Sequence, residues 1–337
     1  MHGWCRALVA GIAILGACDS ASPPSAPVDG NVVPSDAGTA PALLHPAVPP
    51  LAQYPAGWGP PYPIVLVHGF FGLYFWDVLP ALTSAGFAAY EVRIDPFNDS
   101  EARGEQLARL VADILRSTGA AKVNLVGHSQ AALCARYVAF KMPTRIGAVF
   151  SLGGANRGTE VADLFDTAPE LAVKLLDPLF DTLSLAYGDV TDNSNIKAAM
   201  SALNTKGAEA FNAAYPDRPE VAYYSIAGRS DLQKNEGACA VPAPPPFIAK
   251  WNAYTDPVNP VWLGTAKYLE GTGQTPHLTD GLVRVDSQIW GQFLGCIPAD
   301  HTDQIGQFFG QKPGPGNPFD HLTFYEDLAL FLQQQGF

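Results

Sequence analysis

Between residues 62 and 152, short apolar runs and helical segments alternate four times, and this alternation restricts the fold more than any other feature of the chain. Tyr62-Pro-Ile-Val-Leu-Val-His68 is apolar without a break and bounded by Pro and Gly, the mark of a strand buried on both faces of a parallel sheet. A helix is expected over 73–86, closed by Gly86, followed by a second strand over 87–93. Asn98-Asp-Ser100 offers N-caps for a helix that brings Leu107, Leu110, Val111, Ile114 and Leu115 onto one face and stops at Gly119. Val123–Val126 reads as a third strand, a helix runs to about Met142 before Pro143, and 147–152 reads as a fourth strand. Strands joined by helices in this order require a mostly parallel sheet covered on both sides, so an α/β domain is expected.

Composition bounds what such a domain can meet. Acidic residues outnumber basic ones 32 to 20, for a formal charge of −12, which excludes the basic surface that nucleic-acid binding needs. No apolar stretch of about 20 residues follows the first twenty positions, which excludes a multi-span helical membrane protein. Charged residues make up 15% of the chain, well below the roughly 25% of ordinary domains, and part of that deficit lies at the N-terminus. Residues 1–17 read as an export signal, with His2 and Arg6 near its start and a short apolar core over 7–15. Leu15-Gly-Ala-Cys18 resembles the lipobox of bacterial lipoproteins, which implies acylation of Cys18 and a membrane anchor in the cell envelope; without it the chain would be secreted. Residues 19–61 hold eleven Pro, three Asp and neither Lys nor Arg, too little apolar surface to repay ordering. The expected organisation is a signal over 1–17, a Pro-rich tether over 18–61, and one globular domain over 62–337.

Gly127-His-Ser-Gln-Ala131 sits between a buried strand and a helix. This is the context of a nucleophile elbow, a strained turn that lifts a serine above the sheet edge and needs small residues two positions on either side. Gly127 meets the requirement, and Ala131 stands where a second Gly is usual. The start of the following helix also aims backbone N–H groups at any oxyanion formed on Ser129. A second oxyanion donor should come from an earlier strand end, where His68-Gly-Phe-Phe-Gly72 lies.

At this point the chain resembles the α/β-hydrolases, and more narrowly the bacterial true lipases of the Pseudomonas and Burkholderia type. The matching stretches are 62–69, Gly127-His-Ser-Gln130, Arg157-Gly-Thr-Glu-Val-Ala-Asp-Leu164, Asp280-Gly-Leu-Val283 and His301-Thr-Asp-Gln-Ile-Gly-Gln307, in the family's order. The resemblance implies a triacylglycerol lipase with Ser129 as nucleophile and the N–H groups of Phe70 and Gln130 as oxyanion hole. Of seven His, His2 and His45 fall in the signal and tether, and the family uses His68 and His128 structurally, which leaves His277, His301 and His321. His301 matches the family's base; His321, after Asp320, is its rival, although a helix N-cap beside a His accounts for that pair too. Asp280 matches the family's acid; Asp231, behind an apolar strand at 221–227, holds the place where other α/β-hydrolases carry theirs.

The same lipases carry a structural Ca²⁺ bound by two Asp and two backbone carbonyls, which the resemblance carries to Asp256, Asp303, Gln307 and Gln311; all-oxygen ligation suits Ca²⁺. It also implies a lipid or other ester substrate and a lipase-specific foldase as partner. The family's disulfide lies in the same neighbourhood, but Asp286 stands where it has one Cys, so a relocated bridge between Cys239 and Cys296 is expected, with Cys134 left free. About 160–215 is long enough for a helical lid, with Leu171, Leu175, Leu179 and Leu183 as its apolar stripe. A carboxylesterase or a polyhydroxyalkanoate depolymerase on the same scaffold is the alternative, and a non-catalytic lipid-binding lipoprotein is the alternative of another class.

Overall fold

The computed structural model describes residues 59–187, 196–230, 239–273, 275–307, 313–314 and 316–337, with side chains omitted over 180–187. The export signal, Cys18 and nearly all of the tether lie outside the described residues.

Six strands form one sheet in the order β2-β1-β3-β4-β5-β6, every neighbouring pair parallel. They are β1 (Ile64–Val67), β2 (Ala89–Val92), β3 (Val123–His128), β4 (Ile146–Leu152), β5 (Ala222–Gly228) and β6 (Gln292–Ile297). Successive side chains along β1 enter different cores, as the period of two demands. Ile64 and Leu66 join one cluster with Val78, Leu82, Phe150 and Phe324; Val65 and Val67 join another with Leu107, Val111, Ala135 and Val138. The sheet is thus covered on both faces, which is why its strands read as unbroken apolar runs.

Helix α2 (Ser100–Thr118) forms as its signals require: the Asp99 carboxylate accepts the Ala102 N–H at 2.6 Å, and Gly119 ends the helix at φ 72°. Leu107, Val111, Ile114 and Leu115 are buried, as is the charged Arg103 one turn from its start. Helix α1 covers only Val78–Ser84, shorter than the expected 73–86. The lost turn is explained by residues that bond elsewhere: a 3-10 turn occupies Phe70–Gly72, and the Phe75 N–H donates to Glu91 at 2.7 Å across to β2. Helix α3 (Ala131–Lys141) follows β3 directly and is buried along nearly its whole length.

Between β4 and β5 the chain builds four helices, α4 (Glu160–Thr167), α5 (Pro169–Tyr187), α6 (Ile196–Leu203) and α7 (Thr205–Ala214), over the stretch expected to hold a cap. The apolar stripe of α5 is displaced from the expected one: Ala172, Leu176 and Leu179 are buried, whereas Leu171 is 40% exposed. A strict spacing of four drifts around a helix of 3.6 residues per turn and carries Leu171 to the edge of the stripe, whereas the 172-176-179 spacing stays within it. Short helices α8 (Pro246–Ala249), α9 (Leu263–Glu270) and α10 (Val285–Gln288) precede β6, and α11 (His321–Gln335) closes the described chain. A disulfide joins Cys239 to Cys296 on β6, and Cys134 is free and buried in α3.

Candidate active site

The C-terminal ends of β1, β3 and β4 and the loop after β6 meet around Ser129. This serine is buried, with φ 59°, one of two non-glycine residues in the left-handed region among the described residues. The conformation costs about 1–3 kcal/mol and is imposed by the strand-to-helix turn. A Cβ on Gly127 would strike the Ala131 carbonyl, so only glycine lets β3 and α3 approach so closely. The Ser129 N–H is held by the Leu152 carbonyl of β4 at 3.0 Å.

The 69–72 loop, expected to carry an oxyanion donor, lies against this turn. A Cβ on Gly69 would sit 2.6 Å from the Ser129 Cβ and 3.1 Å from its Oγ. Phe71, also left-handed at φ 69°, turns the loop and donates its N–H to the Pro96 carbonyl at 3.2 Å. The amides of Phe70 and Gln130 make no backbone hydrogen bond among the described residues, so both can donate to a ligand. Arg103, which sequence reading passed over, supports both donors at once. Its guanidinium donates to Gln130 Oε1 at 2.6 Å, to the His68 carbonyl at 2.6 Å, to the Gly69 carbonyl at 3.0 Å and to the Pro96 carbonyl at 3.3 Å. The Gly69 carbonyl and the Phe70 N–H belong to one peptide unit. His68 ties β1 to β2: its Nε2 accepts the Ile94 N–H at 3.1 Å, which leaves Nδ1 to donate to the Gly69 carbonyl at 3.0 Å. Burial, helped by Arg103, pulls its pKa down to about 3, so it is a neutral strut.

His301 and Asp280 meet in the same place. The His301 Nδ1 lies 2.7 Å from Asp280 Oδ2, with both residues buried. Asp280 Oδ1 accepts the N–H groups of Leu282 at 3.0 Å and Val283 at 2.8 Å, and the His301 N–H donates to the Asp280 carbonyl at 2.7 Å. The His301 ring lies 4.7 Å from that of His128, the neighbour of Ser129, and 5.9 Å from Trp262. Burial holds His128 neutral, well below the usual imidazole range. Gln304, a second residue that sequence reading missed, also donates to Asp280 Oδ2, at 3.0 Å.

The rival residues fall elsewhere. His321 pairs with Asp77 at 3.1 Å while Asp320 caps α11 through the Thr323 N–H, and His277 faces Asp286 at 3.8 Å near the surface. Asp231 lies outside the described residues.

Asp256 and Asp303 come together as the resemblance implied, and Asp300 joins them: their ligand-capable oxygens lie within 4.8 Å of one another, all three residues buried. Asp300 Oδ1 is taken by the N–H groups of Thr302 and Asp303, at 2.8 Å each. Among the described residues, both Asp256 carboxylate oxygens and Asp300 Oδ2 have no donor in hydrogen-bonding geometry. Burial, reinforced by Asp300, raises Asp256 to about 7; burial with Asp300 and Asp256 raises Asp303 to about 10. Three buried carboxylates, two of them with orphaned oxygens, fit a hard divalent cation, which would repay their desolvation. The Gln307 side chain donates to the Tyr74 carbonyl at 2.6 Å, and Gln311 lies outside the described residues.

Residues 62–249 match a family model described as the alpha/beta hydrolase fold. A triacylglycerol lipase of Vibrio cholerae is 38% identical over 170 residues, 46% of this chain and 54% of that protein. One from Pseudomonas fragi is 40% identical over 169 residues, 46% of this chain and 58% of that protein. The chain therefore spans little more than half the length of these curated relatives. A triacylglycerol lipase of Burkholderia plantarii is 27% identical over 292 residues, 74% of this chain and 80% of that protein. Among solved structures, a Bacillus licheniformis lipase superposes with TM-score 0.57 at 18% identity, covering 83% of this chain and 95% of its own. A Staphylococcus hyicus lipase does so with TM-score 0.58 at 14% identity, covering 84% and 98%.

Proposed function

The chain belongs to the α/β-hydrolase fold family, and we propose that it is an exported triacylglycerol lipase acting through Ser129, His301 and Asp280. One observation carries the reading: a 2.7 Å His301–Asp280 bond sits beside a left-handed serine at a strand-to-helix turn. His301 takes the Ser129 proton as Oγ attacks the ester carbonyl, and Asp280 holds the imidazole tautomer and steadies the imidazolium. The N–H groups of Phe70 and Gln130 receive the tetrahedral oxyanion. His301 then protonates the departing alcohol, and water releases the fatty acid from the acyl-enzyme.

The names of the relatives support a lipid ester as substrate. So do the exposed apolar side chains Leu171 (40%) on α5 and Leu263 (47%) and Tyr268 (37%) on α9, helices that pack together; a Cβ on Gly264 would lie 3.3 Å from Leu175. On this reading α5 is part of a lid whose outer face meets lipid. The test is hydrolysis of p-nitrophenyl esters of graded chain length, emulsified triolein and polyhydroxyalkanoate. Long-chain esters and triolein should be cleaved, with a rate that rises as the ester passes its solubility limit. Cleavage of soluble short-chain esters alone would make the protein a carboxylesterase, and cleavage of polymer alone a depolymerase. No product from any of them would leave a lipid-binding lipoprotein.

The proposal includes Ca²⁺ held by Asp256, Asp300 and Asp303 with the Gln307 carbonyl. The ion would supply positive charge that fixes the 300–307 loop, which carries His301. Removing it with EGTA should lower the melting temperature by about 5–10 °C, with recovery on adding Ca²⁺. An unchanged melting curve would remove the ion from the proposal. Export and acylation at Cys18 complete the reading, with a lipase-specific foldase as folding partner. Detergent-phase partitioning of the wild type, lost in Cys18→Ser, reads the anchor.

A further inference from the structure

The carboxylate of Asp280 has more partners than a triad requires. Its Oδ1 is taken by the Leu282 and Val283 N–H groups, and its Oδ2 is shared between His301 Nδ1 at 2.7 Å and Gln304 Nε2 at 3.0 Å. Gln304 is fully buried in the short turn Asp303–Ile305, and its N–H is bonded to the Asp300 carbonyl at 3.2 Å. Its side chain crosses the end of the sheet to reach Asp280, through space that two other elements leave open. A Cβ on Gly153, just after β4, would collide with Gln304 Oε1, and a Cβ on Gly228, the last residue of β5, with its Nε2. The amide orientation follows from chemistry, since an ionised carboxylate only accepts and so must face the NH₂ end. The opposite end bears a cost: Gln304 Oε1 is buried without a hydrogen-bond donor among the described residues. A group whose only purpose was to fill this space would do so better as Leu or Met.

We propose that Gln304 is a positioning residue for the reaction, fixing the plane of the Asp280 carboxylate so that Oδ2 stays aligned with His301 Nδ1. The inference rests on reading Ser129, His301 and Asp280 as the triad. With four hydrogen bonds on the two oxygens of Asp280, three from backbone and glutamine N–H groups and one from the imidazole, the carboxylate has no freedom to rotate as the imidazolium forms. Because Gln304 is neutral, it orients the acid without placing a second negative charge beside the first. The same bond links the turn that follows His301 to the acid it pairs with, so base and acid are held in register.

The test compares Gln304→Leu and Gly228→Ala with the wild type on a soluble short-chain p-nitrophenyl ester, with three readouts: kcat and KM, the low-field NMR resonance of the His301 Nδ1 proton, and the melting curve. Leu has similar bulk and also removes the orphaned oxygen, so Gln304→Leu should fold. It should lower kcat about ten- to a hundredfold with KM within twofold of the wild type. The low-field resonance should move, because Oδ2 then serves one donor instead of two. Gly228→Ala keeps Gln304 and every triad residue; its Cβ displaces the amide and also meets the Ala299 carbonyl at 2.8 Å, and it should reproduce the kcat loss and the moved resonance. A folded Gln304→Leu with kcat within twofold overturns the proposal. So does a kcat loss with the resonance unmoved, which would make Gln304 a packing residue only. Failure of the triad reading looks different: wild-type enzyme without a low-field resonance, and Ser129→Ala that still hydrolyses the ester.

Discussion

Ser129→Ala should lower ester hydrolysis by about a millionfold, to the level set by substrate binding and the oxyanion hole alone. The expectation follows from how little else changes. Ala fits wherever Ser does, the Ser129 N–H keeps its bond to Leu152, and the His301–Asp280 pair has partners that do not involve the hydroxyl. The left-handed φ of 59° remains, because it is imposed by the turn and not by the side chain. The melting temperature should therefore stay within a degree or two of the wild type, and a phosphonate that labels the wild-type serine should leave the variant unlabelled. The loss should be the same for every acyl chain length tried, since the bond-breaking step is common to all of them. A folded Ser129→Ala enzyme that keeps more than a tenth of the wild-type rate would sink the assignment of the nucleophile, and with it the chemistry proposed for this protein.

Much of this site could be read along the chain, for a physical reason that also marks where reading stopped. Helix α2 announces itself through groups that bond within a few residues, Asp99 to Ala102 and Gly119 back to Leu115, and β1 through a run of side chains that all need burial. The elbow at 127–131 is equally local: strand, strained serine and helix are consecutive. Arg103 is not local in this sense. On a helical wheel it is a charged residue in the first two turns, which reads as a solvated position, yet it is fully buried because its acceptors come from 68, 69, 96 and 130. Asp300 and Gln304 were missed in the same way. Their roles are set by Asp256 and Asp280, brought close only when the loop after β6 folds over the sheet edge. Apolar periodicity reports faces, and it is silent about a buried polar group whose partners come from distant segments. The first turn expected of α1 failed for a related reason, since Phe75 spends its N–H on Glu91 of β2 instead of on a helix.

Arg103→Met should lower kcat by about 10²- to 10³-fold, the cost of losing one well-placed oxyanion donor, with KM changed far less. The effect begins at the peptide joining residues 69 and 70. A cation bonded to the Gly69 carbonyl draws electron density through the amide and makes the Phe70 N–H a stronger donor to a developing oxyanion. The same guanidinium grips Gln130, the residue that carries the second donor, so one side chain holds the two halves of the hole at a fixed separation. Removing it leaves the Gln130 side-chain oxygen and the carbonyls of His68, Gly69 and Pro96 with one buried donor fewer, at about 1–3 kcal/mol for each group left unsatisfied. The variant should therefore melt earlier as well, and kcat must be measured well below its transition. Arg103→Lys keeps the charge but presents a point where a fork is needed, so it should recover part of the stability and less of the rate. The Ser129 hydroxyl is untouched in both, so phosphonate labelling should slow in step with kcat, because the phosphonyl oxygen uses the same two N–H groups as the ester oxyanion. Arg103→Met enzyme that is folded and turns over within threefold of the wild type would show that the oxyanion loop holds its shape unaided, and that the buried guanidinium serves stability alone.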